Sequence, residues 1–347
     1  MDSIVKQLTK LNDDEFSIPL DKNCPFLSVI HSVTSANALI YSLQDDDASD
    51  PQTISEARHS KYWTEWLATI HKELESLKAK GIYEEVQSLP PGRKAVQHKW
   101  VLHIKRDKDG VISRFKPCLI TKGFTQIPGQ DFSFTFAPIA RWDSICSILC
   151  IAALNNYELH QLNVKTAYLN GPLDEEIYMK APDGFSSSSN YWRLHKGLYG
   201  LRQAGRQWYL TLHQAYSDLG YVQCESDWSA YTCRSPSGFS MSAMSVDGIL
   251  ITSDSKLESN LATDEINNKF TVTDGGDADW ILGCRITQCR PKHLLMIDQS
   301  QFATTILHEF NMENCNSVIT FCPKWHLTSK MCPQTDAECD NAALLPY

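Results

Sequence analysis

The 347-residue sequence contains no apolar run close to the roughly 20 residues that a membrane-spanning helix needs. Its first residues, MDSIVKQLTKLNDDEF, lack the basic start and the apolar stretch of a secretory signal peptide. Charged residues make up 21% of the chain and hydrophobic residues 42%, which excludes wholesale disorder. We therefore expect a globular cytoplasmic protein with no membrane partner.

The sequence also lacks the cysteine spacings that mark metal or redox sites. Its twelve cysteines form no C-x-x-C pair and no cluster with histidine at zinc spacing. No cysteine has a basic neighbourhood with a partner histidine visible in the sequence, so an enzyme with a cysteine nucleophile has almost no support. We predict that Cys146 and Cys150, one helical turn apart, are buried small apolar residues.

The net charge of −9 hides two short basic islands. Residues 91–122 carry nine basic and two acidic side chains, and residues 193–207 carry four basic and none acidic. Such islands are either solvated charged faces or surfaces that neutralise phosphate groups, and charge alone does not choose between them.

The hydrophobic periodicity changes several times between helical and strand spacing, with no internal repeat. Helical spacing from Trp63 to Leu77 ends at Gly81, and two alternating runs flank tight turns that contain Asp-Gly. This mixture favours an α+β fold over a parallel doubly wound sheet. The predicted elements are a hairpin of 98–105 with 111–120, a helix over 142–156, a strand over 160–169, a helix from Gln203, a hairpin of 239–244 with 249–252, a helix over 257–270, a strand pair within 280–298 and a helix over 299–312.

Four stretches together are specific to one family. They are KWVLHIKRDKDGVISRFKPCLITKGFTQIPGQDFSFTFAPIAR (99–141), HQLNVKTAYLNGPLDEEIYMKAPDGF (160–185), LYGLRQAGRQW (198–208) and SVDG (245–248). In this order they closely resemble the reverse transcriptase domain of copia-type retrotransposon Pol polyproteins. The resemblance runs from about Trp63 to Pro323. It implies a right-hand polymerase with fingers, a palm built on an antiparallel sheet, and the start of a thumb.

The resemblance also divides the chain. It implies fingers and palm over 56–300 and a truncated start of the thumb or connection over 301–347, while the Asp-, Ser- and Pro-containing composition before them indicates a weakly ordered N-terminal linker over 1–55. Its implied partners are an RNA or DNA template-primer and a deoxynucleoside triphosphate (dNTP), inside a cytoplasmic retroelement particle, and it admits self-association. Its implied cofactor is Mg²⁺, because such polymerases clamp the attacking and leaving oxygens with two magnesium ions.

The sequence departs from the family at the positions that hold these ions. The resemblance implies one aspartate in the palm strand, where this chain has Asn163, and two consecutive aspartates in the hairpin, where it has Asp247 and Gly248. Asp247 is therefore the single remaining catalytic and metal-binding carboxylate. Three further acidic residues, 174–176, lie nearby in sequence, and we expect a solvated acidic loop there more than substitute ligands.

Nucleotide- and template-binding positions are partly kept. Arg114 and Lys116 match the fingers hairpin of the family, but Cys118 stands where the resemblance implies an arginine for the triphosphate. Four further residues match binding positions of the family: Lys122 for backbone phosphate, Tyr168 beneath the nucleotide sugar, and Gln203 and Arg206 for template and nucleotide. Two alternatives stay open: Tyr168 as a core aromatic beside the strand, which is compatible with the sugar contact, and Arg206 as a solvated helix residue.

Two hypotheses follow from this pattern. The first is a degenerate reverse transcriptase domain that keeps its fold but has a broken metal site. The alternative is a non-catalytic subunit that binds nucleic acid or takes part in particle assembly, which the two basic islands motivate.

Overall fold

The computed structural model describes residues 49–107, 110–182, 184–185, 189–316, 333 and 335. The helices are α1 (Ile54–His59), α2 (Trp63–Ala79), α3 (Trp142–Asn155), α4 (Ala204–Asp218), α5 (Lys256–Lys269) and α6 (Ser300–Glu309). The strands are β1 (Tyr83–Val86), β2 (His98–Arg106), β3 (Ile112–Thr121), β4 (Glu158–Val164), β5 (Pro172–Lys180), β6 (Tyr191–Lys196), β7 (Val222–Gln223), β8 (Ala230–Ser235), β9 (Gly238–Ser245), β10 (Gly248–Ser253), β11 (Val272–Asp277), β12 (Trp280–Ile281), β13 (Cys284–Cys289) and β14 (Leu294–Asp298).

The central sheet has six strands in the order β11-β4-β10-β9-β8-β7, and the neighbouring strands are antiparallel. Side chains along a strand alternate between its two faces, so β4 contributes to two hydrophobic clusters. Leu162 and Val164 pack into the cluster that also holds residues of α4 and α5. Leu159 packs into the cluster on the opposite face, with residues of α3. The predicted α+β class with an antiparallel central sheet is confirmed.

A second sheet has the order β1-β6-β5. Next to it in sequence, α2 buries one stripe of residues at helical spacing: Trp66, Ile70, Leu74 and Leu77. The helix ends as the sequence predicts, because Gly81 adopts a left-handed φ of 62° just beyond it. Strands β12, β13 and β14 form a third sheet, where the sequence predicts only a strand pair.

The chain divides into two compact units, and the smaller one contains the outer part of the β2–β3 hairpin. Within it, the Asp50 carboxylate accepts a hydrogen bond from the Ile104 amide at 2.7 Å and lies 2.8 Å from His103 Nδ1. The larger unit, residues 53–101 with 117 onward, contains the central sheet. Most of the predicted linker over 1–55, and the chain beyond 316 apart from two residues, lie outside the described residues.

Three local predictions are wrong. The strand predicted over 160–169 ends at Val164, because Thr166 adopts a left-handed φ of 53° and a 3₁₀ turn follows over Ala167–Asn170. Cys150 is exposed and Cys146 is half-buried, because the buried residues of α3 are Ile145, Ile148, Leu149 and Ala152. Residues 174–176 lie inside β5 and not in an acidic loop.

In the part of the chain that the structure describes, no helix combines the length and apolarity that crossing a bilayer requires.

Candidate active site and nucleic-acid surface

The register of the central sheet brings the predicted catalytic positions together. Gly248, the first residue of β10, pairs directly with Asn163 of β4. Asp247 precedes it in the two-residue turn of the β9–β10 hairpin, and its backbone carbonyl accepts a hydrogen bond from the Val164 amide at 2.7 Å. Residues more than 80 positions apart in sequence therefore meet at one edge of the sheet.

This constellation contains one carboxylate. Directly opposed residues of an antiparallel sheet share a face, so Ser245, Gly248, Asn163 and Thr273 form a row across four strands, and all of them are uncharged. Among the residues that the structure describes, no group of three or more histidine, cysteine or acidic side chains is placed to hold a metal ion. The residues present do not fit a pair of magnesium ions.

The acidic residues of β5 do not replace the missing ligands, because they bind other protein groups. Asp174 accepts a hydrogen bond from Gln207 at 2.9 Å, and Glu175 accepts one from the Ser133 amide at 3.2 Å. Glu176 forms an ion pair with Arg193 at 2.9 Å.

The backbone still has room for the missing carboxylate at position 248. A Cβ added to Gly248 would lie 3.5 Å from the Ser245 carbonyl oxygen, which is ordinary van der Waals contact. Gly248 is not among the residues with positive φ, so a side chain fits its backbone conformation. The local geometry of the site is therefore compatible with aspartate, although the residue is absent.

An aromatic pair lies beside Asp247. The ring of Tyr168, in the 3₁₀ turn, is 5.2 Å from the ring of Tyr199. Burial raises the pKa of Tyr199 to about 12, with further contributions from the Cys118 thiol and the Asp247 carboxylate. Burial, followed by the charge of Asp247, also raises the pKa of Tyr168. Tyr199 lies within the LYGLRQAGRQW stretch, but no local pattern in the sequence marks it as a site residue.

Gln203 lies at the start of α4 and is completely buried. Its amide oxygen accepts a hydrogen bond from Gln126 at 3.0 Å. Its amide nitrogen donates to the Asp131 carbonyl at 2.7 Å and to the Glu175 carboxylate at 3.2 Å. In this conformation the Gln203 side chain joins three segments of the protein.

Two arginines of the second basic island lie against phenylalanine rings, one half-buried and one exposed. The guanidinium of Arg202 lies 5.3 Å from the ring centre of Phe132, and that of Arg206 lies 5.5 Å from the ring centre of Phe134. Phe134 is 72% exposed and Phe136 is 66% exposed. We name Arg202, Arg206, Phe134 and Phe136 the Phe–Arg surface. The sequence signal for it was the alternation of phenylalanines in DFSFTF (131–136).

The other predicted binding residues lie on or near β3. Lys122 follows this strand, its amide donates a hydrogen bond to the Gln97 carbonyl at 2.7 Å, and the residue is partly exposed. Arg114 and Lys116 are exposed on the part of β3 that belongs to the smaller unit, and Cys118 lies on the part in the larger unit.

Comparison with known proteins agrees with these motifs. Residues 81–324 match the family model described as reverse transcriptase (RNA-dependent DNA polymerase). The retrovirus-related Pol polyprotein from transposon TNT 1-94 of Nicotiana tabacum is 36% identical over 312 residues, which cover 88% of this chain and 23% of that protein. The Pol polyprotein from transposon RE2 of Arabidopsis thaliana is 30% identical over 275 residues, which cover 78% of this chain and 18% of that protein.

Among solved structures, this chain aligns with a foamy viral protease-reverse transcriptase in complex with double-stranded DNA. The alignment covers 72% of this chain and 37% of the foamy viral chain. The TM-score is 0.38 and the identity 9%. The chain spans less than a quarter of the length of the Pol polyproteins above. The family match covers well over half of the chain, and these relatives are transposon Pol polyproteins. The chain therefore belongs to the reverse transcriptase family, as a domain of the copia-type retrotransposon Pol polyproteins.

Proposed function

We propose that this reverse transcriptase domain has lost its polymerase activity. The observation that supports this is the single carboxylate, Asp247, where Asn163 and Gly248 complete the site. Two divalent ions about 4 Å apart repel each other strongly, and anionic ligands offset that repulsion. An asparagine oxygen can coordinate Mg²⁺ but contributes no charge, and glycine contributes no ligand.

The incoming dNTP is affected as well. Cys118 stands where the family resemblance implies an arginine, and a thiol offers none of the forked, charged donors that a triphosphate binds. The proposal also covers the properties of the ancestral, active domain. These are Mg²⁺ and dNTP binding, template-primer binding, self-association and a place in a cytoplasmic retroelement particle. Of these, Mg²⁺ and dNTP binding are expected to be weak in this chain.

Primer extension on a poly-A template with Mg²⁺ or Mn²⁺ tests the loss of activity. We expect no incorporation above that of the Asp247→Asn variant, because the remaining carboxylate has no second anionic ligand to act with. Robust incorporation by the unmodified chain that Asp247→Asn abolishes would contradict the proposal.

A second candidate function is nucleic-acid binding without catalysis, and the Phe–Arg surface favours it. Exposed aromatic rings stack with unpaired bases, and arginines neutralise phosphates or stack on bases themselves. The irregular segment that contains Phe134 and Phe136 continues to Ala140, whose amide donates a hydrogen bond to the Met244 carbonyl at 2.9 Å. Met244 belongs to β9, the β-strand that leads into the Asp247 turn. A single-stranded nucleic acid bound to the Phe–Arg surface would therefore extend towards the palm.

Titration of a fluorescent single-stranded oligonucleotide at several salt concentrations tests this binding. Phe134→Ala is expected to weaken binding about fivefold or more, because it removes a ring on which a base stacks. Arg206→Ala is expected to make the slope of log affinity against log salt shallower by about 0.7, since one phosphate contact is lost.

Trp228→Ala is the matched control, since Trp228 is 55% exposed but lies outside the Phe–Arg surface. It should leave both the affinity and the salt slope unchanged. If Phe134→Ala changes the affinity no more than Trp228→Ala does, the Phe–Arg surface is not part of the binding site.

A further inference from the structure

The turn that carries Asp247 is strained. Val246, its first residue, has a left-handed φ of 54°. Two-residue hairpin turns of this kind favour glycine at that position, and a β-branched residue there is a genuine outlier. Such a conformation costs on the order of 1–3 kcal/mol and persists only where the surroundings hold it.

Two rigid elements hold this turn by its backbone carbonyls. The indole N–H of Trp208 donates a hydrogen bond to the Val246 carbonyl at 2.5 Å. The Val164 amide of β4 donates to the Asp247 carbonyl at 2.7 Å. The two carbonyls of the turn are therefore tied to α4 on one side and to the palm strand on the other.

Trp208 is well placed to keep its carbonyl partner fixed. Its side chain is 3% exposed and belongs to the core cluster of the central sheet. Its ring packs edge-on against Phe270, with 5.1 Å between the ring centres. A buried indole N–H that finds one acceptor rarely exchanges it for water, so the bond to Val246 is persistent.

We infer that Trp208 is a positioning residue that holds the Val246–Asp247 turn in its strained conformation and thereby orients the Asp247 carboxylate. This deepens the proposed function, because it rests on Asp247 marking the polymerase site. It also gives the last residue of the LYGLRQAGRQW stretch a role that its sequence position alone does not suggest.

Hydrogen exchange at the Val164 amide tests this inference without requiring activity. Trp208→Phe keeps the ring but removes the donor, so we expect Val164 exchange to rise about tenfold, the equivalent of one hydrogen bond. The Ala278 amide, which donates to the Leu159 carbonyl at the other end of β4, is the internal reference for changes that are not local to the turn. The measured quantity is the ratio of the Val164 rate to the Ala278 rate.

Rescue separates positioning from simple packing. Val246→Gly removes the strain, so in that background Trp208→Phe should change the rate ratio by less than about twofold. Trp192→Phe is the matched control, because Trp192 is also buried and its indole nitrogen has no hydrogen-bond partner among the described residues. It should leave the ratio unchanged. An unchanged ratio in Trp208→Phe, or additive effects of the two substitutions, would overturn the inference.

Mn²⁺ binding by the Asn163→Asp/Gly248→Asp variant, followed by electron paramagnetic resonance, links the turn to the site. We expect Trp208→Phe to weaken Mn²⁺ binding about tenfold in that variant and Val246→Gly to restore it. Unaltered Mn²⁺ affinity in Trp208→Phe would count against the link to Asp247. If the Asn163→Asp/Gly248→Asp variant binds no Mn²⁺ at all, the missing carboxylates do not explain the loss of activity and the proposed function fails on that point, while hydrogen exchange still decides the role of Trp208.

Discussion

Asn163→Asp combined with Gly248→Asp is expected to raise primer extension by about 100-fold to 1000-fold over the unmodified chain. A correctly held metal pair supplies several kcal/mol of transition-state stabilisation, and each 1.36 kcal/mol corresponds to a factor of ten in rate. Asparagine and aspartate are nearly isosteric, and position 248 has space for a side chain, so neither substitution should disturb the sheet. Incorporation of labelled dTMP on a poly-A template is the measurement.

The single variants provide the controls for this restoration. Asn163→Asp alone and Gly248→Asp alone each leave one ligand missing, so both should remain close to the unmodified chain. Asp247→Asn added to the double variant should abolish the gained activity. Adding Cys118→Arg to the double variant should lower its KM for dNTP, because this substitution returns a charged donor to the triphosphate position. A double variant that folds, binds Mn²⁺ and yet shows no gain would place the defect outside the metal site.

Gln203→Leu is expected to lower the free energy of unfolding by about 2–4 kcal/mol. Leucine fills a similar volume but leaves the Gln126 amide without its acceptor and the Asp131 carbonyl without its donor, and each buried group left unsatisfied costs about 1–3 kcal/mol. The change should appear as an earlier midpoint in urea denaturation with an unchanged slope. Gln214→Ala, on the exposed side of the same helix, should stay within about 0.5 kcal/mol of the unmodified chain.

The same variant distinguishes two roles for Gln203. The family resemblance predicts contact with template or nucleotide, whereas the buried network indicates a structural role in this conformation. If the structural role dominates, single-stranded oligonucleotide binding measured well below the unfolding midpoint should change less than about twofold. Unchanged stability together with a large loss of binding would instead establish Gln203 as a contact residue.

Much of the fold follows from local patterns in the sequence. Helical spacing from Trp63 to Leu77 and alternation around SVDG predict α2 and the β9–β10 hairpin, because burial of one face imposes these periods. The strand predicted over 160–169 is too long, because no pattern in the sequence indicates the left-handed backbone of Thr166 that ends it. The charge of residues 174–176 predicts a solvated loop, whereas in the structure they lie in β5 and their side chains bind partners from distant segments.

The identity of the residues at positions 163, 247 and 248 is a property of the sequence alone. It determines that these three positions offer one carboxylate and one amide, because the charge of a side chain is set by its chemistry. The tertiary structure decided what that site consists of. The pairing of β4 with β10 placed Asn163 beside Gly248, and the burial of Gln203 and Trp208 turned two family motif residues towards other parts of the protein. These outcomes depend on strand register and on buried polar groups finding partners far away in sequence, which no local pattern encodes.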